Sequence, residues 1–265
     1  MAKLLEGKPI AEKIKEELRL TVRGLKQPPV LASILIGENP GAMSYAKSQQ
    51  RLAGELGIEY CLRVLPEEAT ESQVVELIQK LNNDKHVHGI SIQMPLPKQI
   101  DGESIRRFIL RNKDIEGVNS PVAAAVMELI KTSGVDLYGK EVVVVGHSET
   151  VGKPLVFLLL DKLATVTVCH IGTSKAGKLE EHVRHAEVLI VAVGKAGLIK
   201  GEWIKEGAVV IDVGINRVGD KIVGDVEFEA AEKKASYITP VPGGVGPLTV
   251  AILMRNLVEA AVAQQ

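Results

Sequence analysis

The stretch EVVVVGHSETVGKPLVFLLLD, residues 141–161, decides the fold. Its four consecutive valines predict a strand buried on both faces, as in a parallel sheet. The strand ends at Gly146, and an apolar helix begins after a polar turn, near Gly152. Such a turn lets a pyrophosphate approach the backbone, and the free N–H groups of the first helical turn attract it. The stretch therefore predicts a dinucleotide site, with an ordinary buried strand–helix unit as the alternative.

The glycine turn alone does not match a standard nucleotide fingerprint. Gly146 and Gly152 are separated by five residues, and position 148 is a serine, so G-x-G-x-x-G is absent. A P-loop requires Ser or Thr after its lysine, whereas Lys153 is followed by Pro154. The identity of the site must therefore come from the rest of the chain.

Strand and helix signals alternate on both sides of this stretch. The apolar patterns predict strands at 29–37, 58–65, 89–97, 164–170, 187–194 and 207–214. They predict helices at 8–26, 41–56, after a capping box at 70–73, at 121–133 and at 250–262, with a glycine–proline loop at 238–249. This alternation favours an α/β fold with a doubly wound parallel sheet, in which ligands bind at the carboxyl ends of the strands.

Composition excludes several classes of function. A formal net charge of −1 and 3% aromatic residues in 265 give no basis for binding nucleic acid or an anionic membrane. Cys61 and Cys169 form neither a disulfide framework nor a zinc quartet, and His182 and His185 lack a third ligand, so no metal site is predicted. No apolar run reaches membrane-spanning length and no signal peptide is evident, so we expect a cytoplasmic protein.

Six stretches occur together in one order, and they carry a resemblance. They are IQMPLP (92–97), KDIEG (113–117), GHSETVGKP (146–154), VVIDVGIN (209–216), VGDV (223–226) and ITPVPGGVGPLT (238–249). Together they resemble the FolD family of methylenetetrahydrofolate dehydrogenase/cyclohydrolases over nearly the whole chain. The resemblance implies an N-terminal α/β folate domain, a Rossmann-like NAD(P) domain with a parallel sheet, a folate cleft between them and a homodimer. We expect residues 1–119 and 247–265 to form the first domain, with a returning C-terminal helix, and residues 120–246 the second.

The family's chemistry has two steps, and one of its residues is replaced here. A hydride passes from the methylene bridge of the folate to the nicotinamide, and water then opens the methenyl ring to give 10-formyltetrahydrofolate. The family carries Tyr-x-x-x-Lys on a helix, beside a glutamine from the QxPLP strand. An ungapped match places Tyr45 on the tyrosine, Gln49 on the lysine and Gln93 on the glutamine. Lys47 lies roughly 160° round the helix and cannot replace the lysine.

Glutamine forms hydrogen bonds but does not titrate near neutral pH. We therefore expect the dehydrogenase activity to persist and the cyclohydrolase activity to be weak or lost. A different interpretation makes Gln49 a surface residue of the helix, with the site elsewhere. Two further alternatives for the whole protein are a non-catalytic paralogue that binds folate or dinucleotide, and a dehydrogenase with another small substrate.

Two further departures concern the folate. The family's KDVDG aspartate, which contacts the pterin, is replaced by Glu116, whose carboxylate can still accept two N–H bonds. The family's longer loop with a PCTP motif is missing, because the chain runs from Gly117 directly into the helix that begins at Pro121. The expected catalytic residues are Tyr45, Gln49, Gln93 and Glu116. The expected substrate-binding residues are Tyr45, Gln93, Pro95, Leu96, Glu116, Pro242, Gly243, Gly244, Val245 and Thr249.

The cofactor-binding residues are also expected from the resemblance. They are Gly146, His147, Ser148, Val151, Gly152, His170, Thr173, Gly194, Ile215 and Asn216. His147 stands where an arginine is common in the family, and Ile171 stands where a serine often occurs. The family's arginine and serine can help to hold a 2′-phosphate, and both are absent here. No Asp or Glu ends the second strand to bind a ribose 2′-hydroxyl, as NAD specificity commonly requires. We therefore expect NADP, with His147, His170 and Thr173 near its phosphate, and NAD as the alternative.

Overall fold

The computed structural model describes residues 1–117 and 120–264. The chain forms two compact units. The six-stranded unit comprises Met1–Ala11 and Val122–Thr249, and the three-stranded unit comprises Glu12–Pro121 and Val250–Gln265. The α/β class with parallel sheets, predicted from the alternating pattern, is confirmed.

The three-stranded unit contains a parallel sheet in the order β3-β2-β4. Its elements are the greater part of α1 (Gly7–Arg23), β2 (Val30–Ile36), α2 (Pro40–Leu56), β3 (Glu59–Leu65), α3 (Glu71–Asn83), β4 (Gly89–Ile92), α4 (Gly102–Arg106) and the greater part of α10 (Val245–Gln264). All seven residues of β2 are buried, because this strand lies between the other two and is covered on both faces. The capping box predicted at 70–73 is confirmed: the Thr70 hydroxyl accepts from the Gln73 N–H, and the Gln73 side chain accepts from the Thr70 N–H.

The six-stranded unit contains a fully parallel sheet in the order β1-β11-β8-β7-β5-β6. Its strands are β1 (Lys3–Leu4), β5 (Glu141–Val145), β6 (Thr165–Cys169), β7 (Val188–Val191), β8 (Val209–Asp212) and β11 (Tyr237–Ile238). A separate hairpin pairs β9 (Asn216–Val218) with β10 (Lys221–Val223). The helices are α5 (Pro121–Ser133), α6 (Gly152–Leu160), α7 (Ile171–Lys175), α8 (Leu179–His185), α9 (Phe228–Ala231) and a 3-10 turn at Gly201–Trp203.

The central strand of this sheet is the valine run. Val142 to Val145 are all buried, as the sequence predicts, and they pair with β6 on one side and β7 on the other. Val145 lies in register with Cys169 of β6 and with Val191 of β7, and Val191 in turn with Asp212 of β8. The carboxyl ends of four neighbouring strands therefore meet at one edge of the sheet.

Three boundaries differ from the sequence-based expectation. Residues 1–11 belong to the six-stranded unit, not to the domain predicted at 1–119, because Lys3–Leu4 pairs in parallel with Tyr237–Ile238. The strand predicted at 89–97 ends at Ile92, before a proline-rich turn. Helix α10 begins at Val245, inside the loop predicted at 238–249, because Pro247 lies in its first turn, where a missing N–H costs no hydrogen bond.

Helix α10 is the one helix of the described residues that is long and apolar enough to cross a membrane by length and composition. Arg255 and Glu259 interrupt its apolar sequence, so it contains no uninterrupted apolar run of that length. In the most apolar 18-residue stretch of this helix, 67% is buried inside the protein. Its Asn256 side chain donates to the backbone oxygen of Ile115 at 2.9 Å. Its Leu257 side chain packs so closely against Gly89 of β4 that a Cβ at residue 89 would overlap it. The apolar composition of α10 is thus that of a core helix.

Candidate functional site

Gln49 lies in the interior of the three-stranded unit. Its position on α2 faces the sheet, and it is 0% exposed. The interpretation of Gln49 as a surface residue is therefore wrong. Lys47, two residues earlier on the same helix, is exposed, as the helical geometry predicts.

Gln93 connects Gln49 to the sheet. Its Nε2 donates to Gln49 Oε1 at 2.9 Å, to Ser33 Oγ at 2.8 Å and to Ser91 Oγ at 3.1 Å. The Tyr60 hydroxyl donates to the same Gln49 oxygen at 3.2 Å. Ser33 of β2 and Ser91 of β4 are register partners, and Ser91 and Gln93 share one face because side chains alternate along an extended chain. The result is a buried polar cluster of neutral side chains on the sheet.

Two atoms of this cluster are buried without a protein partner. Gln49 Nε2 and Gln93 Oε1 have no hydrogen bond among the described residues. A buried unpaired donor or acceptor costs about 1–3 kcal/mol, so such groups usually await a ligand or a water. One donor and one acceptor from neighbouring amides can satisfy a polar group of a bound molecule.

Tyr45 is one helical turn before Gln49 on α2 and is partly buried. Burial raises the pKa of its hydroxyl well above the usual value, and the negative charge of Glu116 raises it further. Gln49 acts in the opposite direction, although its amide nitrogen forms no well-aligned hydrogen bond. The pKa of Tyr60 is also raised, first by burial and then by Glu116. Both phenols are therefore neutral hydrogen-bonding groups at neutral pH.

The KDIEG stretch is a turn that presents Glu116 to the cluster. Asp114 Oδ1 accepts from the N–H groups of Glu116 at 3.1 Å and Gly117 at 2.7 Å. A Cβ at residue 117 would overlap the Asp114 carboxylate, so this turn requires glycine. The turn is anchored by Lys113, whose Nζ donates to three backbone oxygens at the end of α3, those of Leu81, Asn82 and Asp84.

Glu116 itself is held by three weak contacts. Its carboxylate accepts from the Ile92 N–H at 3.3 Å and from the Ser91 hydroxyl at 3.4 Å. Arg106 lies 3.6 Å from its Oε2 atom. Burial raises the pKa of Glu116, and the charge of Arg106 is the largest influence that lowers it. The sequence-based search missed Arg106, because nothing in the sequence connects it with a residue ten positions later.

In the six-stranded unit, the turn after β5 is built on close backbone contacts. Gly146 has φ +125°, and a Cβ there would overlap the Ala192 carbonyl. A Cβ at Gly152 would overlap the carbonyl oxygen of Gly146. The Ser148 hydroxyl accepts from the Val151 N–H at 3.2 Å, and α6 then begins without a side-chain cap. The free first-turn donors expected from the sequence are therefore few, because the Lys153 N–H donates to the Ser148 oxygen at 3.0 Å and Pro154 has no N–H.

His147 and His170 come together although 22 positions separate them. Their ring centroids are 5.3 Å apart. His170 directly follows β6 and caps α7: its Nδ1 accepts from the Gly172 N–H at 3.1 Å, and Thr173 Oγ1 accepts from the His170 N–H at 3.2 Å. The parallel pairing of β5 and β6 brings these residues to one edge, as the sequence predicts for strand ends.

Asp225 organises the loops at the next strand ends. Its Oδ2 accepts from the N–H groups of Val193 at 2.7 Å and Gly194 at 2.9 Å, and its Oδ1 from the Lys195 N–H and the Asn216 amide, both at 2.8 Å. Two of the predicted cofactor-binding residues, Gly194 and Asn216, are thus held by one carboxylate. Ile215, between β8 and β9, has an exposed side chain.

A second carboxylate, Asp212, supports the first. It accepts from the N–H groups of Gly214 at 2.9 Å, Asp225 at 3.0 Å and Val226 at 2.9 Å. A Cβ at Gly224 would overlap the Asp212 carboxylate, so the VGDV stretch requires glycine there. Both aspartates therefore bind backbone N–H groups. No group of three or more metal-ligating side chains is found among residues 1–117 and 120–264.

The remaining predicted substrate-binding residues lie in two loops and at the start of α10. In the six-stranded unit, Pro242 to Val245 form a tight turn into α10, in which the Gly243 oxygen accepts from Gly7 at 3.0 Å and the Gly244 N–H donates to Pro240 at 2.8 Å. Thr249 is buried, and its hydroxyl donates to Val245 at 3.1 Å. In the three-stranded unit, Pro95 and Leu96 line an open cavity of about 240 Å³ beside Asn39.

Comparison with known protein families identifies both parts of the chain. Residues 5–116 match the catalytic domain of tetrahydrofolate dehydrogenase/cyclohydrolase, and residues 120–265 match its NAD(P)-binding domain. The chain belongs to the tetrahydrofolate dehydrogenase/cyclohydrolase family. The FolD resemblance read from the motifs is thereby confirmed.

Relatives and solved structures of this family agree over the full length. The bifunctional protein FolD of Acetivibrio thermocellus is 48% identical over 282 positions, covering 99% of this chain and 98% of its own. The crystal structure of FolD from Campylobacter jejuni has a TM-score of 0.93 at 41% identity and covers 100% of both chains. FolD of Trypanosoma brucei, solved with NADP and an inhibitor, has a TM-score of 0.91 at 34% identity over 98% of both chains.

Some functional residues could not be read from the family motifs alone. Ser33 and Ser91 have a weak signal in the sequence, since each is a polar residue within an apolar strand, whereas Tyr60 lies in the mixed strand β3 and has none. Arg106 has none. The segment expected from the resemblance to be shortened contains residues 118 and 119, which lie outside the described residues.

The carboxylate pair gives a prediction about stability. Burial raises the pKa of Asp212 to about 6, despite its three backbone hydrogen bonds. The folded state thus binds the proton of Asp212 more tightly than the unfolded state does, which stabilises the fold when the carboxyl is protonated. This stabilisation is complete below the unfolded pKa and is lost as pH rises through about 6. Asp212→Asn removes the titration. The free energy of unfolding of wild type minus that of the variant should fall by roughly 2 kcal/mol between pH 4 and pH 7.

Denaturant titrations at several pH values measure this difference. Asp220→Asn is the matched control, because Asp220 is an exposed residue of the β9–β10 turn. Its difference from wild type should stay flat over the same range. A flat difference for Asp212→Asn would show that burial does not control this carboxyl.

Proposed function

We propose that this protein oxidises 5,10-methylenetetrahydrofolate to 5,10-methenyltetrahydrofolate with NADP, and that its cyclohydrolase activity is weak or lost. The position of Gln49 is the observation that supports a weak or lost cyclohydrolase activity. It is fully buried and bonded to Gln93 at 2.9 Å, in the position that matches the family's lysine. A neutral amide therefore stands where the family has a titratable amine.

The residues of the three-stranded unit would bind and orient the folate. Tyr45 and Gln93 would position the methylene bridge, and the unpaired oxygen of Gln93 and nitrogen of Gln49 offer it an acceptor and a donor. Glu116 would accept N–H bonds from the pterin edge. These groups supply position and hydrogen bonds, which are the protein's main contribution to hydride transfer.

Bound nicotinamide would supply the hydride acceptor, and the residues at the carboxyl ends of β5 to β8 fit a dinucleotide. The absence of side chains at Gly146 and Gly152, where the backbone packs closely, would let a pyrophosphate approach this turn. Asp225 holds Gly194 and Asn216 in place beside them along the edge. The chain's own contribution is therefore to bind and orient the cofactor.

The second activity requires a different kind of group. Opening the methenyl ring needs a proton to be taken from water and delivered to the leaving nitrogen, which a positioned acid–base accelerates about 10²–10⁴-fold. Gln49 cannot do this, and the raised pKa of Tyr45 keeps it a neutral phenol, so no phenolate is present at neutral pH to act as the base. We infer a dehydrogenase that releases the methenyl product largely unhydrolysed.

The experiment follows both steps in one purified sample. NADPH formation from 5,10-methylenetetrahydrofolate measures the first activity, and decay of added methenyltetrahydrofolate against the buffer rate measures the second. Wild type should reduce NADP without accelerating ring opening. Gln49→Lys should gain ring opening by about 10²-fold or more, because the free Gln93 oxygen can accept from the new amine.

Lys47→Gln is the matched control, since it removes a lysine from an exposed position of the same helix. Both activities should be unchanged in that variant. Normal ring opening by wild type would refute the loss of cyclohydrolase activity. Absence of NADP and NAD reduction by the folded protein would refute the dehydrogenase.

The choice of NADP rests on the NAD(P)-binding domain and on the histidine pair. His147 and His170, with Thr173, provide nitrogen and hydroxyl groups for a 2′-phosphate at the end of β6, and no acidic residue occupies that strand end. His147→Arg should raise the ratio of kcat/KM with NADP to that with NAD by about tenfold, because a guanidinium binds phosphate with two parallel hydrogen bonds. His147→Ala should lower the ratio.

His185→Ala is the control for this series, because His185 is exposed on α8 and bonds to its own helix. Its cofactor ratio should equal that of wild type. A ratio unaffected by both His147 substitutions would place the phosphate elsewhere.

We further propose a cytoplasmic homodimer, as the family resemblance implies. Strand β3 supports the dimer, because it is an edge of the three-stranded sheet and has an exposed Val64. An open edge strand with apolar side chains favours pairing with another chain. Sedimentation at micromolar concentration should give twice the 28.5 kDa chain mass. A monomer at all concentrations would refute the dimer.

A further inference from the structure

Two adjacent arginines at the end of α4 have different environments. The side chain of Arg107 is 73% exposed and pairs with Glu103 on the same helix. The side chain of Arg106 is 17% exposed and faces Glu116, whose side chain is 14% exposed. Surface pairs contribute little, whereas a mostly buried arginine requires a carboxylate partner. The Arg106–Glu116 contact is therefore part of the folded interior.

Glu116 depends on this arginine for its charge. Its two hydrogen bonds, at 3.3 and 3.4 Å, are long, and burial favours the neutral acid. The charged and titratable groups that influence it are Arg106 from α4, Asp114 from its own turn, Tyr45 from α2 and Tyr60 from β3. The aspartate opposes ionisation and both tyrosines are neutral. Arg106 is thus the charged group that favours a carboxylate at Glu116, and its influence on the pKa exceeds that of the hydrogen bonds from Ile92 and Ser91.

Arginine and lysine differ in what they can do at such a place. A guanidinium keeps its charge throughout the working range of an enzyme and offers fixed donors, but it does not exchange a proton. Gln49 removes the family's amine from the cluster, and Arg106 places a positive charge beside the carboxylate from another element. Compared with the family pattern, the site therefore has a positive charge but lacks the side chain that exchanges a proton.

We propose that Arg106 is a positioning residue of the folate site, which holds Glu116 ionised and oriented so that both carboxylate oxygens can accept N–H bonds from a pterin. This inference rests on the proposed folate dehydrogenase function and names the residue that makes Glu116 competent in it. It predicts an effect on the folate and none on the dinucleotide.

The test compares Arg106→Met with Arg107→Met. Arg106→Met should raise the KM for 5,10-methylenetetrahydrofolate about tenfold and leave the KM for NADP unchanged. The acid limb of kcat/KM for the folate should move to higher pH, because the pKa of Glu116 rises when the cation is removed. Arg107→Met should match wild type in all three readouts. Arg106→Lys, which keeps the charge, should retain the acid limb of wild type.

Binding separates this inference from the proposed function. Calorimetric titration with tetrahydrofolate at pH 6 and pH 8 compares the same variants without turnover. A wild type that binds tetrahydrofolate but reduces no cofactor would refute the dehydrogenase. Even then, weaker binding of tetrahydrofolate by Arg106→Met than by wild type, with a larger loss of affinity at pH 6 than at pH 8, would support the role of Arg106. A wild type that does not bind tetrahydrofolate would overturn both. Unchanged folate KM, Kd and pH profile in a folded Arg106→Met would overturn the assignment of Arg106 alone.

Discussion

Parallel strands end at the same edge of their sheet, and this constraint determines where each unit can place its polar groups. In the three-stranded unit, β2 and β4 pair Ser33 with Ser91, and Gln93 follows on the same face. In the six-stranded unit, the ends of β5 to β8 lie in register, so glycine turns and strand-end side chains far apart in sequence become neighbours. In the six-stranded unit the predicted cofactor-binding residues lie at the strand ends because the strand interiors are mostly valine, isoleucine and leucine, whereas Ser33 and Ser91 lie within their strands.

Buried carboxylates are stabilised in two different ways in this protein. Asp225 accepts four hydrogen bonds at 2.7–2.9 Å, three of them from backbone N–H groups, and so it fixes the loops around it. Glu116 has only long hydrogen bonds and a guanidinium at 3.6 Å. Tight backbone donors suit a carboxylate whose task is to hold a loop. Looser contacts suit the proposed role of Glu116, in which its oxygens accept from a ligand and the nearby guanidinium favours its charge.

The sequence predicts the parts of this structure that depend on local patterns. The valine run, the Thr70 capping box, the start of α5 at Pro121 and the glycine turns all have local causes, and the structure has them. The misses have non-local causes. Lys3–Leu4 is a strand only because β11 pairs with it, and its two residues are exposed, so no apolar pattern marks it. The contact of Arg106 with Glu116 depends on the packing of α4, which no spacing rule predicts.

The replacement at Gln49 and the presence of Arg106 have one physical interpretation. A lysine in a folate site provides both a positive charge and an exchangeable proton, and these properties cannot vary separately within one side chain. In this chain the buried amide of Gln49 forms a hydrogen bond with Gln93 at the position of the family's lysine. A positive charge comes instead from Arg106 on another helix, beside Glu116. In the proposed role of Arg106, this charge serves binding by keeping the carboxylate ionised. The proposed loss of ring opening follows from the exchangeable proton, which neither the amide nor the guanidinium supplies at neutral pH.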